Sequence, residues 1–267
     1  MTALALALAD GATIAKRNLI KTRRMPDVLV WTTMSPIMFV LLFAYIFGGS
    51  IDIPGTNYRE FLIAGIFAQN IIFGASFTGT ALADDMQKGI IDRFRSLPMS
   101  RSAVLVGRTA SDIVNNAIAV TVMSITGLII GWRIRTSIVE ALGGFLLLLL
   151  FAYAISWIMA WVGLKVRSVE VVNNASFMFI FPMTFIANTF VPSQNLPGVL
   201  RTIAEWNPVS ALAQAAREAF GNAVAYTSNS DAWSLNHPVA YVLIWVAGIL
   251  AVFVPLAVRQ YARSTTT

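Results

Sequence analysis

The chain has 267 residues, of which 57% are hydrophobic and 12% are charged. That charged fraction is about half of what an ordinary soluble domain carries, and the apolar residues form runs long enough to cross the ~30 Å hydrocarbon layer of a membrane. The net charge of +6 comes from basic residues in short segments between those runs, a pattern that indicates membrane orientation and argues against nucleic-acid binding. The absence of cysteine excludes disulfides, a thiolate nucleophile and cysteine-ligated zinc.

The N-terminal segment is basic. A short apolar stretch, 3–9, is followed by the cations Lys16, Arg17, Lys21, Arg23 and Arg24. A cleavable signal peptide has the opposite order. Because Ile14, Leu19 and Ile20 lie among these cations, residues 13–24 predict an amphipathic helix in the membrane interface. A disordered basic tail is the alternative.

Six apolar runs predict membrane-spanning helices at 28–48, 60–82, 102–130, 138–164, 172–191 and 239–258. Helices are expected because the runs are continuous, whereas the strands of a membrane barrel alternate in polarity. Most lysines and arginines fall before the first span, after the second and fourth, and after the last. That side is therefore cytoplasmic, both termini are expected inside, and the span count is even. The predicted fold class is all-α integral membrane, with 1–267 as one domain.

The connection between the second and third spans, residues 84–101, is a charged cytoplasmic excursion. Its apolar side chains recur at roughly helical spacing, at Ile90, Ile91, Phe94 and Leu97. This spacing predicts a short amphipathic helix that stops at Pro98. Exposed apolar side chains are normally buried against something, so we expect this helix to contact a partner protein.

The outer connection, residues 192–237, is too long for a structureless loop. Asn207 and Pro208 form a helix start, and apolar residues follow at Ala211, Leu212, Ala215, Ala216 and Ala219. The pattern predicts a capped amphipathic helix that rests on the outer leaflet.

Four charged or amide residues interrupt the third span: Arg108, Asp112, Asn115 and Asn116. Their spacing of i, i+4, i+7 and i+8 places them on one helical face, which must contact protein or water. Two interpretations are open. The stripe contains an Arg108–Asp112 pair that holds helices together near the cytoplasmic interface, or it lines a passage through the membrane.

Motifs for nucleotide binding and catalysis are missing from the sequence. The phosphate-binding string Gly-x-x-x-x-Gly-Lys-Ser/Thr does not occur, so any ATP must be bound by another chain. The only histidine is His237, and the spans hold no cluster of His, Asp or Glu for hydrolytic or metal chemistry. We therefore expect no catalytic, cofactor-binding or metal-binding residues. The scarcity of acids in the spans also argues against proton coupling.

The cytoplasmic excursion carries a family resemblance. Residues 84–101 read DDMQKGIIDRFRSLPMSR, which resembles the segment after the second span in type-2 ABC exporter permeases, particularly the daunorubicin and doxorubicin resistance branch. The similarity continues through 102–108, SAVLVGR, and returns at 206–212, WNPVSAL. Gln87 is a departure, because the wider family often has Glu before Lys-Gly.

The resemblance implies a six-span permease in the cell membrane that pairs with a second copy or a homologue. Each permease would dock one separate ATPase subunit, which binds ATP and Mg, and residues 13–24 would be a connecting helix along the inner leaflet. The resemblance also implies a coupling helix that enters a groove in the ATPase, within Gly89, Ile90, Ile91, Asp92, Arg93, Phe94, Arg95, Ser96, Leu97 and Pro98.

The function implied by the resemblance is export of an amphipathic drug or lipid-like substrate. An ion-coupled secondary transporter is the alternative, and a membrane-embedded enzyme acting on lipids or glycans is a third class. A copurifying ATPase distinguishes the exporter from the secondary transporter. Turnover by the isolated chain would favour the enzyme.

Overall fold

A computed structural model of the chain describes residues 3–24, 26–46, 57–96, 102–166, 168–223 and 231–263. These residues contain helices and no strand. In chain order the helices are α1 (Ala3–Arg23), α2 (Pro26–Ile46), α3 (Tyr58–Gln87), α4 (Ile90–Arg95), α5 (Ala103–Ile129), α6 (Ile138–Lys165), α7 (Val169–Ile186), α8 (Gly198–Glu205), α9 (Pro208–Phe220), α10 (Trp233–Asn236) and α11 (Pro238–Arg263). A 3-10 turn at Ser193–Asn195 precedes α8.

Within the described residues, five helices are long and apolar enough to cross a membrane: α3, α5, α6, α7 and α11. Each occupies the position of a predicted span, which confirms an all-helical membrane protein. The first predicted span, 28–48, coincides with α2, in which Met34–Ile46 is a shorter apolar helix. The count of six spans stays a prediction.

α3 is the central helix of the bundle and packs against α2, α5, α6, α7 and α9. Its largest fully buried side chains are Phe61, Leu62, Ile63, Ile66, Phe67, Ile71 and Ile72. A helix that is apolar on every side is stable in this position because other helices surround it. α3 approaches α6 closely, since a Cβ added to Gly163 would lie 2.3 Å from the Gly79 carbonyl oxygen. Glycines on both helices therefore bring the two backbones together.

The predicted fifth span, 172–191, is too long at its outer end. α7 stops at Ile186, before the polar residues Asn188 and Thr189, although apolar residues return at Phe190 and Val191. The chain turns because Ala187 has extended backbone angles and because the Asn188 backbone N–H donates to Ser210 Oγ at 2.9 Å. A tertiary hydrogen bond to α9 thus replaces the next helical bond, and hydropathy alone does not report it.

The helix predicted to start at Asn207 and Pro208 forms as α9, but its position differs from the prediction. Asn207 caps α9, its Oδ1 accepting from the Val209 N–H at 2.9 Å, and Gly221 ends the helix with a φ of 72°. The expected position on the outer leaflet is wrong, because Leu212 and Ala216 are almost fully buried and α9 packs against α3, α6 and α11. The many alanines of α9 allow neighbouring helices to approach it from several sides.

Candidate functional site

α4 follows α3 after a tight turn. α3 ends at Gln87, and the Lys88 backbone N–H donates to the Asp84 carbonyl at 3.0 Å. Gly89 then has a φ of 65°, in the left-handed region that residues with a Cβ rarely adopt. The turn directs the chain into the six residues of α4.

Ile91 anchors α4 to the rest of the chain. Its side chain is 2% exposed and belongs to an apolar cluster built from the ends of four long helices. Leu82 of α3, Leu105 of α5, Leu164 of α6 and Tyr261 of α11 are members of this cluster. α4 is therefore fastened to the helical bundle by a buried side chain, and the four helix ends and α4 form one packed unit.

Arg93 lies on the outer side of this unit, and Phe94 lies at its edge, where it packs against the same apolar cluster. Phe94 is half-buried, and the Arg17 guanidinium of α1 lies 4.8 Å from the centre of its ring. Arg93 is exposed. α4 thus presents one half-buried aromatic ring and one exposed basic side chain on a surface that also includes α1.

The remaining predicted coupling residues divide into two groups. Ile90 and Asp92 are half-buried and Ser96 is exposed, whereas the side chain of Arg95 and the residues Leu97 and Pro98 lie outside the described part of the chain. The expectation that every apolar residue of the excursion faces a partner needs correction for Ile91, because that side chain is buried within its own chain. In so short a helix, the spacing of the apolar residues does not show which side chain faces the bundle and which faces a partner.

The polar stripe of α5 joins two helices. Arg108 Nη2 lies 3.2 Å from Asp112 Oδ1, so the pair predicted from the i, i+4 spacing forms within α5. Thr78 of α3 donates its hydroxyl to Asp112 Oδ2 at 2.5 Å, and Arg108 donates to the Phe77 carbonyl oxygen at 3.4 Å. Both members of the ion pair therefore also bind α3.

The two asparagines of the stripe have different surroundings. Asn116 is buried and donates to the Asp112 carbonyl oxygen at 3.0 Å. It fits against α3 because Gly74 leaves space there, where an added Cβ would lie 2.3 Å from Asn116 Oδ1. Asn115 is only half-buried. The structure thus brings Arg108, Asp112 and Asn116 together at the contact between α3 and α5 and leaves Asn115 at its margin.

Arg217 of α9 is a buried charge within the outer connection, residues 192–237. It is 0% exposed, and its guanidinium lies 3.6 Å from the centre of the Phe61 ring. It donates to the Phe61 carbonyl at 3.0 Å, to the Asn188 carbonyl at 2.7 Å and side-chain oxygen at 3.3 Å, and to the Thr189 carbonyl at 3.4 Å. Burial lowers the pKa of Arg217 to about 9, which leaves it protonated at neutral pH.

The sequence contains no clear signal for this burial. Ser210, Gln214, Arg217 and Glu218 share one face of α9 at i, i+4, i+7 and i+8, a pattern typical of a helix at a surface. The burial of Ser210, Gln214 and Arg217 depends on the helices that surround α9. An arginine in that position must find hydrogen-bond acceptors inside the protein.

Comparison with known proteins places this arrangement in a family. The profile of the ABC-2 type transporter matches residues 11–220, a stretch that includes α4, the polar stripe of α5 and the buried α9. The chain belongs to the ABC-2 type transporter family. The resemblance seen in the cytoplasmic excursion is therefore confirmed over most of the chain.

Curated relatives of this ABC-2 chain are drug-resistance permeases. The daunorubicin resistance ABC transporter permease protein DrrB1 of Streptomyces coeruleorubidus is 32% identical over 259 residues, which cover 96% of this chain and 88% of the relative. A probable doxorubicin resistance ABC transporter permease protein, DrrC of Mycobacterium tuberculosis, is 24% identical over 259 residues, covering 95% and 89%. The ABC-2 chain is thus a multi-pass membrane protein similar to these permeases over nearly its whole length.

Proposed function

We propose that the chain is the membrane permease subunit of an ABC exporter and that a separate ATPase subunit binds and hydrolyses ATP with Mg. Family membership and the relatives named as permeases support this proposal. The sequence also has no phosphate-binding loop of its own. An energy source in a second chain requires a surface through which mechanical work enters this one.

The observation that carries the proposal is the attachment of α4. Because Ile91 is buried among the ends of α3, α5, α6 and α11, a displacement of α4 must move those helix ends or open a packed apolar cluster. Arg93 is exposed and Phe94 is half-buried at the edge of this cluster, so an ATPase would contact Arg93 and the accessible part of the Phe94 ring. Closure of two ATPases on ATP would then shift a permease pair between inward and outward access.

The polar stripe has a supporting role in this mechanism. Asp112 binds Arg108 on its own helix and Thr78 on α3, which favours the interpretation that the stripe holds α3 and α5 together. We propose that the stripe makes the two helices that flank α4 move as a pair. The alternative, in which the stripe lines the transport route, predicts altered substrate preference when Asp112 is changed.

Contacts at the two ends of the bundle support the six-span topology. Arg17 of α1, Phe94 of α4 and Tyr261 of α11 all belong to the end that carries the coupling helix. At the opposite end, Arg59 at the start of α3 lies 5.2 Å from the ring centre of Tyr45 in α2. We propose that α2 is also a span, the first in chain order, which brings the number to six, and that both termini are cytoplasmic.

The proposed cargo is an amphipathic drug or a lipid-like molecule. The relatives are named for resistance to daunorubicin and doxorubicin, and similar compounds are the first to test here. A second permease, either another copy or a homologue, is expected to complete the transporter.

Copurification tests the proposal. The tagged chain is isolated from its native membranes, and we expect an ABC ATPase to copurify and its ATP hydrolysis to be stimulated by daunorubicin or another amphipathic compound. Transport that requires an ion gradient and no ATPase would instead establish the secondary transporter. Turnover of a lipid or glycan by the isolated chain would establish an enzyme.

A further inference from the structure

A groove of about 550 Å³ lies between α1 and α5, beside the basic part of α1. Its walls are apolar apart from one lysine: Ala12, Ala15, Leu19 and Ile20 of α1 and Ala110 and Val114 of α5 form them together with Lys16. The volume lies within the ~300–1,000 Å³ of typical ligand sites in proteins. The groove is separate from α4 and from the polar stripe described above.

The groove exists because α1 and α5 are in close contact along one side of each helix, while the neighbouring sides are apart. A Cβ added to Gly107 would lie 2.6 Å from the Gly11 carbonyl oxygen, so the two backbones touch there. Further along, Asn18 donates to Ser111 Oγ at 3.4 Å. Beside these contacts, the small side chains of Ala15 and Ala110 leave the helices apart. The two helices therefore hold the groove open without help from a ligand.

The charge beside the groove is strongly positive. Residues 12–24 contain Lys16, Arg17, Lys21, Arg23 and Arg24 and no acidic residue. Lys16 itself is exposed and forms no ion pair with any residue that the structure describes. An apolar groove with a free ammonium group at its rim complements a molecule that has a hydrocarbon chain and a negative head.

We propose that this groove binds an anionic phospholipid, with one acyl chain along the apolar walls and the phosphate at Lys16. Basic clusters beside membrane helices attract anionic headgroups, and the apolar walls give a hydrocarbon chain a surface that water does not solvate. A lipid in this position contacts α1 and α5 at once and strengthens the attachment of α1 to the bundle.

Native mass spectrometry of the full chain in detergent tests the proposal, with dioleoyl phosphatidylglycerol and dioleoyl phosphatidylcholine as probes. We expect one phosphatidylglycerol to bind at least fivefold more tightly than phosphatidylcholine. Lys16→Gln should weaken phosphatidylglycerol binding about fivefold, the effect of one basic residue near an anionic surface. Lys88→Gln removes the same charge from a lysine that is 60% exposed and paired with Asp84, and should leave binding unchanged.

A second pair of variants tests the groove itself. Val114→Trp should fill the groove and weaken the binding of phosphatidylglycerol and phosphatidylcholine alike. Ile20→Trp should also fill the groove, from a rim position that is 42% exposed. It replaces Val114→Trp in this test if Val114→Trp unfolds at a lower temperature than the wild type.

Four results would overturn the proposal. They are equal binding of the two lipids, the same loss in Lys88→Gln as in Lys16→Gln, unchanged binding in both tryptophan variants, and full displacement of phosphatidylglycerol by glycerol phosphate, which would indicate a site for a soluble phosphate. Because the chain has no cysteine, Ile20→Cys gives a fifth test. Cross-linking of Ile20→Cys between two copies in membranes would show that a second chain covers the groove and would also overturn the proposal.

Discussion

Arg217 is protonated at neutral pH, and its four acceptors are uncharged oxygens of α3 and of the turn after α7. The planar guanidinium reaches Phe61, Asn188 and Thr189 at once because its donors point in several fixed directions. It therefore connects three parts of the chain that are distant in sequence. Its role is to position α9 inside the bundle.

We expect Arg217→Met and Arg217→Lys to destabilise the protein by similar amounts, about 2–4 kcal/mol, because both leave buried acceptors unpaired. A lysine does not replace the arginine, since its compact ammonium group lacks the planar fork. The measurement is thermal unfolding of the purified variants in detergent.

Arg201 provides the control for this prediction. It is 42% exposed and pairs with Glu205 on the same helix, and surface pairs of this kind contribute about 1 kcal/mol or less. Arg201→Met should therefore unfold close to the wild-type temperature. Normal stability of Arg217→Met would show that the buried hydrogen bonds do not hold α9.

Asp112 is the second residue whose removal should affect assembly. Asp112→Ala leaves the Thr78 hydroxyl and the Arg108 guanidinium without their acceptor, and we expect a loss of about 1–3 kcal/mol and less assembled protein. Arg108 limits the loss because it is 18% exposed and can extend toward the aqueous interface. Abundance and export per assembled molecule should be measured on the same membranes.

Asp112→Asn keeps one oxygen for Thr78 but loses the charge and the second oxygen, which accepts from Arg108, so it should lie between the wild type and Asp112→Ala. Substrate preference should stay the same in both variants. A variant that assembles normally but exports a different range of compounds would show that the stripe lines the transport route.

At the scale of single elements, α4 has an inward and an outward side, and they should respond differently to truncation. Ile91→Ala removes a buried side chain from the cluster at the helix ends, so we expect a loss of about 2–5 kcal/mol and a lower abundance. Phe94→Ala removes a half-buried ring and should leave abundance normal while abolishing ATPase copurification and export. Recessed apolar residues usually contribute most of the energy of an interface, about 2 kcal/mol or more each.

Arg93→Ala is the matched control on the same helix. Arg93 is exposed, and a charge at the rim of an interface affects salt dependence more than affinity. Its loss should reduce ATPase binding mildly, with an effect that depends on ionic strength. If Phe94→Ala keeps both ATPase binding and export near wild-type levels, α4 is not the coupling element.

The helices of this fold were largely predictable because each long helix is a continuous apolar run bounded by charges. The predicted run 138–164 coincides with Ile138–Lys165 almost to the residue, since Ser137 and Glu140 form a capping box at its start. The predicted outer end of the fifth span, 172–191, was wrong because the Asn188 backbone N–H donates a hydrogen bond to Ser210 of α9. Such a bond depends on tertiary contacts that hydropathy does not contain.

The candidate site was predictable in its local part only. The i, i+4 spacing predicted the Arg108–Asp112 pair, which the structure contains. The partner Thr78 lies on another helix and has no sequence signal of its own. Likewise, the burial of Ile91 depends on the convergence of four helix ends, and the sequence of α4 does not specify which of its apolar residues faces them.

For the whole molecule, the two ends of the bundle differ in chemistry. The end with α4 also contains Arg17 and Tyr261, close to the two ends of the described chain. The opposite end contains the pair Arg135 and Glu60, 2.6 Å apart, and the loop connections next to α9. If the α4 end faces the cytoplasm, as the distribution of lysine and arginine predicts, then both termini must face it too.

Single-cysteine labelling tests this topology cleanly because the natural sequence has no cysteine. Thr13→Cys, Asp231→Cys and Arg263→Cys all replace exposed residues. A membrane-impermeant maleimide should label Asp231→Cys in intact cells, and it should label Thr13→Cys and Arg263→Cys only after the membrane is permeabilised. The contrast follows from an even number of spans, with α2 as the first and the connection between α7 and α11 outside. Labelling of Arg263→Cys in intact cells, with Thr13→Cys still protected, would require an odd number of spans. That result would contradict the six-span architecture even if the ATPase copurified.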